Sequence, residues 1–387
     1  MPNPPVEWVQ TAGGKMNASR AGRAAAGLAA AGVAIGLVAT GPFANASARK
    51  IDHSRAAHAA AAFKIAFDMP CSTCASRFED QDKPDFIKSV HALDPRATVI
   101  ADNAQGSDAT QISQVEDAIA QGAKVVVVSP LDQATGVAIV SKAAAAHVPV
   151  IAYDGLLTGA KIAFYVSFDN TLVGRLQGEY LVQHLPSGST VAMINGDQTS
   201  TPGVQFKQGA LEALRPAFKS GQLKLGYSAD TMQFDPSKAQ TEMEQALTKL
   251  HDNVQAVLSP NDGIAGGVIA ALKSQHLAGK VLVTGQDATT AGLQDILLGT
   301  QSMTVFKPIT LEAATAAKVA VGLAEGNTGI VKETAKTSVS NGAGKVPTVL
   351  LQPIVVGHSN EWVVVKNGGG TWSAICSGIP KLLCPAH

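Results

Sequence analysis

SPNDGIAGGVIAALKSQHLAGKVLVTGQDATTAGLQDILLGTQSMTVFKPI, residues 259–309, carries the reading of the whole chain. Strand-like apolar runs at 254–258 and 280–284 each break into a turn that pairs an amide with a carboxylate: Asn261 with Asp262, and Gln286 with Asp287. A helical pattern follows each turn, and a further apolar run ends at Lys307 and Pro308. In a parallel α/β sheet the strand ends face a crevice where small ligands bind. Asp, Asn and Lys held rigidly there offer the acceptors and donors that an uncharged polyol needs. The stretch therefore predicts a sugar-binding cleft built on the ends of parallel strands.

The same alternation extends upstream. Runs at 63–67, 98–101, 124–128 and 149–152 are short, apolar and rich in β-branched residues, as buried parallel strands are. Residues 108–121 set Ile112, Val115 and Ile119 at helical spacing, with Asp108 placed to cap the helix. A strand at 164–168, a helix at 172–184 and a strand at 190–194 continue the series. Helices follow at 204–218, 237–250, 263–275 and 291–297, with strands between them. Such a series gives open, doubly wound parallel sheets. Its length exceeds one sheet of ordinary width, so two α/β lobes are expected.

The totals agree. The chain has 387 residues, 46% apolar and 16% charged, which fits a globular protein with full cores. Lys plus Arg equals Asp plus Glu at 30 each, so no electrostatic footprint for nucleic acid is present. No phosphate-binding loop, G-x-S-x-G elbow, H-E-x-x-H or Ser/His/Asp constellation stands out, and the nine histidines, His147 and His276 among them, sit mostly in polar contexts. Gly263–Gly267, GIAGG, is not a dinucleotide fingerprint and reads as close helix–sheet packing. A non-enzyme without cofactor or metal is expected.

Residues 1–48 read as a secretory signal with an upstream extension. Lys15, Arg20 and Arg23 precede an apolar run at 24–40, which small residues at 44–48 follow. Met16 is an alternative start, and a retained membrane anchor is the competing reading. No cysteine ends the apolar run, so lipid attachment there is excluded; residues 49–62 read as an Ala-rich linker. Export to the periplasm or the outer face of the cell envelope suits the four cysteines, which allow three pairings. Cys71 with Cys74 and Cys376 with Cys384 is the simplest, both being local. Redox use of the C-x-x-C is the alternative, and zinc lacks a matching second pair.

FKIAF, DATQISQVEDAIAQGAKVVVVSP, VPVIAYD, FYVSFDN, SPNDGIAGG, VTGQDA and GTQSMTVFKPITLEAATAA, in this order, resemble the periplasmic sugar-binding proteins of ABC importers, nearest to the D-xylose-binding members. The resemblance covers residues 63–353 and is specific in combination. It implies the type I periplasmic binding protein fold: α/β, with two doubly wound parallel-sheet lobes joined by three hinge crossings. These would fall near residues 169–170, 304–307 and 346–353. Residues 63–169 with 305–345 would form the N-terminal lobe, and 170–304 with 346–358 the C-terminal lobe. Residues 359–387 remain as an extension bearing a cysteine pair, with Trp362 and Trp372, and have no account in the sequence.

The resemblance also implies a ligand set. Asn261, Asp287 and Lys307 would hydrogen-bond sugar hydroxyls, against the plainer roles of turn caps and a solvated charge. Asp154 ends the fourth strand and would join them, and Arg77 stands where the family has a cleft arginine. Phe78 and Phe234 would sandwich the sugar's C–H faces from opposite lobes, or else are plain core. The family's arginine after the strand-four aspartate is Gly155 here, which removes a fork of donors. Its acid–amide pair after strand 190–194 falls at Ser200 and Thr201, with Asp197 as a substitute. The CSTC segment beside Arg77 is foreign to the pattern. The fold and the transport role therefore carry over better than xylose itself, and a different pentose, a hexose or another polyol is open. The implied partners are a small sugar and an ABC permease, with the protein a monomer and no nucleic acid bound. A sugar sensor serving a chemoreceptor or sensor kinase is the alternative. A lac-repressor-type regulator would need a helix-turn-helix where the signal-like run stands.

Overall fold

A computed structural model describes residues 62–384. The signal-like segment, the second start at Met16 and nearly all of the 49–62 linker lie outside the described residues.

The first lobe opens with β1 (Lys64–Met69), α1 (Lys83–Leu93), β2 (Thr98–Asn103) and α2 (Asp108–Ala120). It continues through β3 (Ala123–Val128), α3 (Gln133–Ala145), β4 (Val150–Tyr153) and β5 (Phe164–Phe168). The chain then enters the second lobe with α4 (Asn170–His184), β6 (Ser189–Asn195), α5 (Thr201–Ser220), β7 (Leu223–Asp230) and α6 (Pro236–Leu250). There follow β8 (Ala256–Leu258), α7 (Asp262–Ser274), β9 (Leu282–Val283), α8 (Thr290–Leu297) and β10 (Thr304–Phe306). It returns through α9 (Ile309–Ala324), α10 (Gly329–Thr334), β11 (Thr337–Ser340) and β12 (Lys345–Leu351). Last come β13 (Ile354–Val356), α11 (Trp362–Lys366) and α12 (Trp372–Ile375).

A seven-stranded sheet, ordered β11-β12-β5-β4-β3-β1-β2, forms the first lobe and is parallel apart from β11. The four-stranded sheet of the second lobe, β7-β6-β8-β9, is parallel throughout. Val125 and Val127 of β3 face one apolar core, and Val126 and Val128 face another, as two-sided burial requires. In each sheet the winding reverses, between β1 and β3 in the first and between β6 and β8 in the second, and loops after these strands line a crevice.

Several expectations change. Residues 346–351, assigned by sequence to the second lobe, are β12, which pairs with β5 in the first sheet. Only after Gln352 and Pro353 does the chain pair with β10, as antiparallel β13. Val346–Leu351 and Ile354–Val356 are both apolar, and pairing rather than composition separates them. Ser107, not Asp108, caps α2: its extended backbone lets the hydroxyl accept from the Thr110 amide, while Asp108 is the first helical residue. The run at 280–284 shrinks to two strand residues: the Lys280 and Val281 amides bond back to Leu277 O in the turn after α7, and at the far end the Thr284 hydroxyl engages both Ser259 N and Ser259 O. In GIAGG only Gly267 is crowded, and by Pro236 and Gln240 of α6 rather than by the sheet. His147 and His276 are exposed, as read.

Cysteines pair locally, Cys71 with Cys74 and Cys376 with Cys384. The second bridge closes the tail, where Trp372, Ile375 and Ile379 pack against Leu293, Ile296 and Phe306 of the second lobe.

Asp68 on β1 is 2% exposed, and one of its oxygens has no hydrogen-bond partner. Burial, with Asp102 across the ladder, pushes its carboxyl from 3.8 up to about 8. A raised folded value means that the fold holds a proton the unfolded chain has released, so stability is lost as pH rises through that value. Asp68→Asn is expected to raise the melting temperature at pH 8 and to leave it nearly unchanged at pH 4. An equal shift at both pH values would show that the carboxyl is not held neutral.

Candidate functional site

Arg77, Phe78, Asp154, Phe234, Asn261, Asp287 and Lys307 all line one cavity between the lobes. The space in it open to the centre of a water molecule is about 70 Å³. At roughly 10–15 Å³ for each water, that is room for a handful of waters, and hence for a monosaccharide in their place. Each lobe contributes through the loops after its strands. Pro70 follows β1, Ser129 to Leu131 follow β3, and Asp154 with Gly155 follow β4. Asp197 follows β6, Gln233 and Phe234 follow β7, Asn261 follows β8, and Gln286 and Asp287 follow β9.

Arg77 organises the floor. It is 1% exposed, and its Nε and Nη2 donate to Asp82 at 3.0 Å each. Nη2 also donates to Glu312 Oε2 at 3.2 Å and stands 3.3 Å from Asp154 Oδ1. Nη1, 3.6 Å from Asp287 Oδ1, has no hydrogen-bond partner among the described residues. The guanidinium lies 5.1 Å from the Phe78 ring centre. Lys307 sits where the chain crosses back from β10 to α9. Its Nζ donates to Asp154 Oδ1 at 3.2 Å and stands 3.5 Å from Asp287 Oδ1, above the rings of Phe168 and Phe206. The ammonium therefore ties a carboxylate of each lobe to the crossing.

Burial sets the charge states. It pushes Glu312 far above the ordinary glutamate range, with Arg77 only partly opposing it. It raises Asp82 as well, again against Arg77; Tyr153 donates its hydroxyl to this carboxyl. At Asp154 burial also pushes upward, but Arg77 and then Lys307 outweigh it and hold the carboxylate below its usual value. Carboxyls that burial pushes upward thus lie behind Arg77, and one that Arg77 and Lys307 hold below its usual range lies in front, on the cavity side.

Asn261 does two jobs. Its Oδ1 caps α7 by accepting from Ile264 N, which is the plainer role, while its Nδ2 donates across the cleft to Cys74 O at 3.2 Å. Gln233 Nε2 likewise reaches Gly106 O at 3.0 Å, and Gln133 Nε2 reaches Thr201 Oγ1 at 2.8 Å. The Cys71–Cys74 loop therefore forms part of the cleft mouth. Phe234 holds a left-handed backbone (φ 51°) and packs against cores of both lobes; Phe78 belongs to the first-lobe core while also facing the cavity. Both aromatics are thus wall and core at once.

Of the weaker readings, Ser200 and Asp197 reach the cavity and Thr201 does not. Ser200 caps α5, and Asp197 accepts from Thr199 and from Gln233 N. Both are engaged with their own chain. A Cβ at Gly155 would stand 3.2 Å from Pro130 Cδ, so the wall here has closed around the missing side chain. Asp82 and Glu312 were not anticipated, because in EDQDK and ITLEAAT they read as ordinary helix acids, and Tyr153 in VPVIAYD reads as one more buried strand residue. Ser129 to Leu131 could have been found from their place at the end of the VVVV strand.

Two α/β lobes of this winding, joined by repeated crossings around a shared polar cavity, define the type I periplasmic binding protein fold. The chain belongs to the periplasmic binding protein family, whose domain matches residues 67–328. The D-xylose-binding periplasmic protein of Escherichia coli K12 is 39% identical over 289 residues, 74% of this chain and 86% of that protein. The multiple sugar-binding periplasmic receptor ChvE of Rhizobium radiobacter is 33% identical, over 67% of this chain and 78% of that protein. An ABC transporter solute-binding protein from Clostridium phytofermentans with bound β-D-glucose superposes with a TM-score of 0.72 at 26% identity, over 81% of this chain and 99% of that one.

Proposed function

We propose that the protein is an exported receptor that captures a monosaccharide between its lobes and delivers it to an ABC transporter permease, without catalysing a reaction. One observation carries the reading: Arg77 and Asp154 from one lobe, Asn261 and Asp287 from the other, and Lys307 at a crossing converge on a single monosaccharide-sized cavity. Ionised groups already paired with one another, flanked by Phe78 and Phe234, suit a neutral ligand with many hydroxyls and apolar C–H faces. The 39% identity to a D-xylose-binding protein supports D-xylose or a related sugar as the first to try. Contacts from both lobes favour the shut form, so binding and closure are coupled.

Isothermal titration calorimetry with D-xylose, D-ribose, D-glucose and myo-inositol tests the reading. Asp287→Ala is expected to weaken the best of these at least tenfold while leaving the far-UV circular dichroism spectrum unchanged. Unaltered affinity would remove Asp287 from the site. Sugar uptake retained in a deletion strain would argue for sensing in place of transport.

A further inference from the structure

Beside Asp287, Gln286 is 2% exposed and lines the same cavity. Its Nε2 donates to Asp287 Oδ1 at 2.6 Å. A carboxylate only accepts, so the amide nitrogen must face Asp287, and this fixes the orientation of the whole amide. The Oε1 left over is buried and has no partner among the described residues. The backbone holds the residue firmly: Asp262 N donates to Gln286 O at 3.0 Å, and Asp287 N donates to Val305 O at 2.9 Å. Arg77 Nη1, also unpartnered, faces the same Asp287 Oδ1. The residues bearing the orphan acceptor and the orphan donor thus meet at one carboxylate oxygen, Asp287 Oδ1. Native structures seldom leave such atoms unsatisfied.

We propose that Gln286 is a specificity-determining residue whose Oε1 accepts a hydrogen bond from one ligand hydroxyl, while Arg77 Nη1 donates to the ligand. The assignment rests on the monosaccharide reading above. A hydroxyl can donate and accept, so a polyol satisfies both atoms. A carboxylate, a ketone or a deoxy carbon at that position leaves Oε1 without its donor. Gln286 therefore selects neutral sugars bearing a free hydroxyl there, and it disfavours uronic acids and the corresponding deoxy sugar. Sites built to pair a substrate hydroxyl reject the analogue that lacks it, because their own buried groups are then stranded.

The test combines Gln286→Met, nearly isosteric, with Gln286→Asn, which withdraws the amide by one methylene. Calorimetry is run with whichever of D-xylose, D-ribose, D-glucose and myo-inositol binds the wild type tightest, and with its monodeoxy analogues. Both variants are expected to bind the parent sugar at least tenfold more weakly. One deoxy analogue should bind the wild type about tenfold worse than its parent, and this penalty should vanish in Gln286→Met. The melting temperature of Gln286→Met without sugar should change little, because removing the stranded acceptor offsets the lost bond to Asp287. A merely structural glutamine would lower that temperature and leave every deoxy penalty intact, and that result overturns the assignment. Binding of no sugar in the panel to the wild type overturns the monosaccharide reading, and the assignment with it.

Discussion

Arg77→Met is expected to destabilise the fold by about 3–5 kcal/mol, the usual cost of removing one partner from a buried charge network. Asp82, Asp154, Asp287 and Glu312 surround this one guanidinium, and nothing replaces its bonds when it is lost. The effect carries a pH signature. Without the cation, the carboxyls behind it favour their protonated forms in the fold still more strongly. Groups whose folded values are raised keep stability at low pH and lose it as pH rises. The drop in melting temperature should therefore be greater at pH 8 than at pH 5. Adding Asp82→Asn and Glu312→Gln should recover part of the loss. A variant that melts within a degree or two of the wild type at pH 8 would mean that solvent reaches the cluster.

Lys307→Met should cost about a hundredfold in sugar affinity with the fold intact. The ammonium is 2% exposed and engages Asp154 of one lobe while standing near Asp287 of the other. Its loss removes a charge-assisted donor, worth about 1.5–3 kcal/mol where such bonds are buried. It also leaves Asp154 and Asp287 to repel each other across the cleft. Both effects oppose closure, so small-angle scattering with sugar present should report a larger radius of gyration than for the wild type. A scattering profile and a dissociation constant both unchanged would show that Lys307 serves the crossing alone.

The two-lobe winding was legible because its strands are short, apolar and followed by turns rich in Asn, Asp and Gly. Asn261 and Asp287 stood out because each sits in the turn that ends an apolar run, and Lys307 because it directly follows one. What stayed hidden depends on tertiary approach. Glu312 and Asp82 sit on helical turns with the spacing of surface acids, and only the folding of α9 against β1 and β3 buries them around Arg77. The lobe of β12 was misread for a related reason, since apolar content does not say which strand will be the neighbour. The unmatched oxygen of Gln286 is invisible in sequence, where the residue is simply part of a turn.

The bonds from Gln233 to Gly106 and from Gln133 to Thr201 span the cleft mouth and join protein groups alone. Each favours the shut form by the same amount whatever lies inside. Weakening Gln133, which lies off the cavity wall, would therefore scale the affinities for all ligands by a common factor, whereas changes at Asp287 would rescale them one by one. On the proposed reading, overall binding strength and discrimination among sugars would thus be set by separate residues and could be adjusted independently.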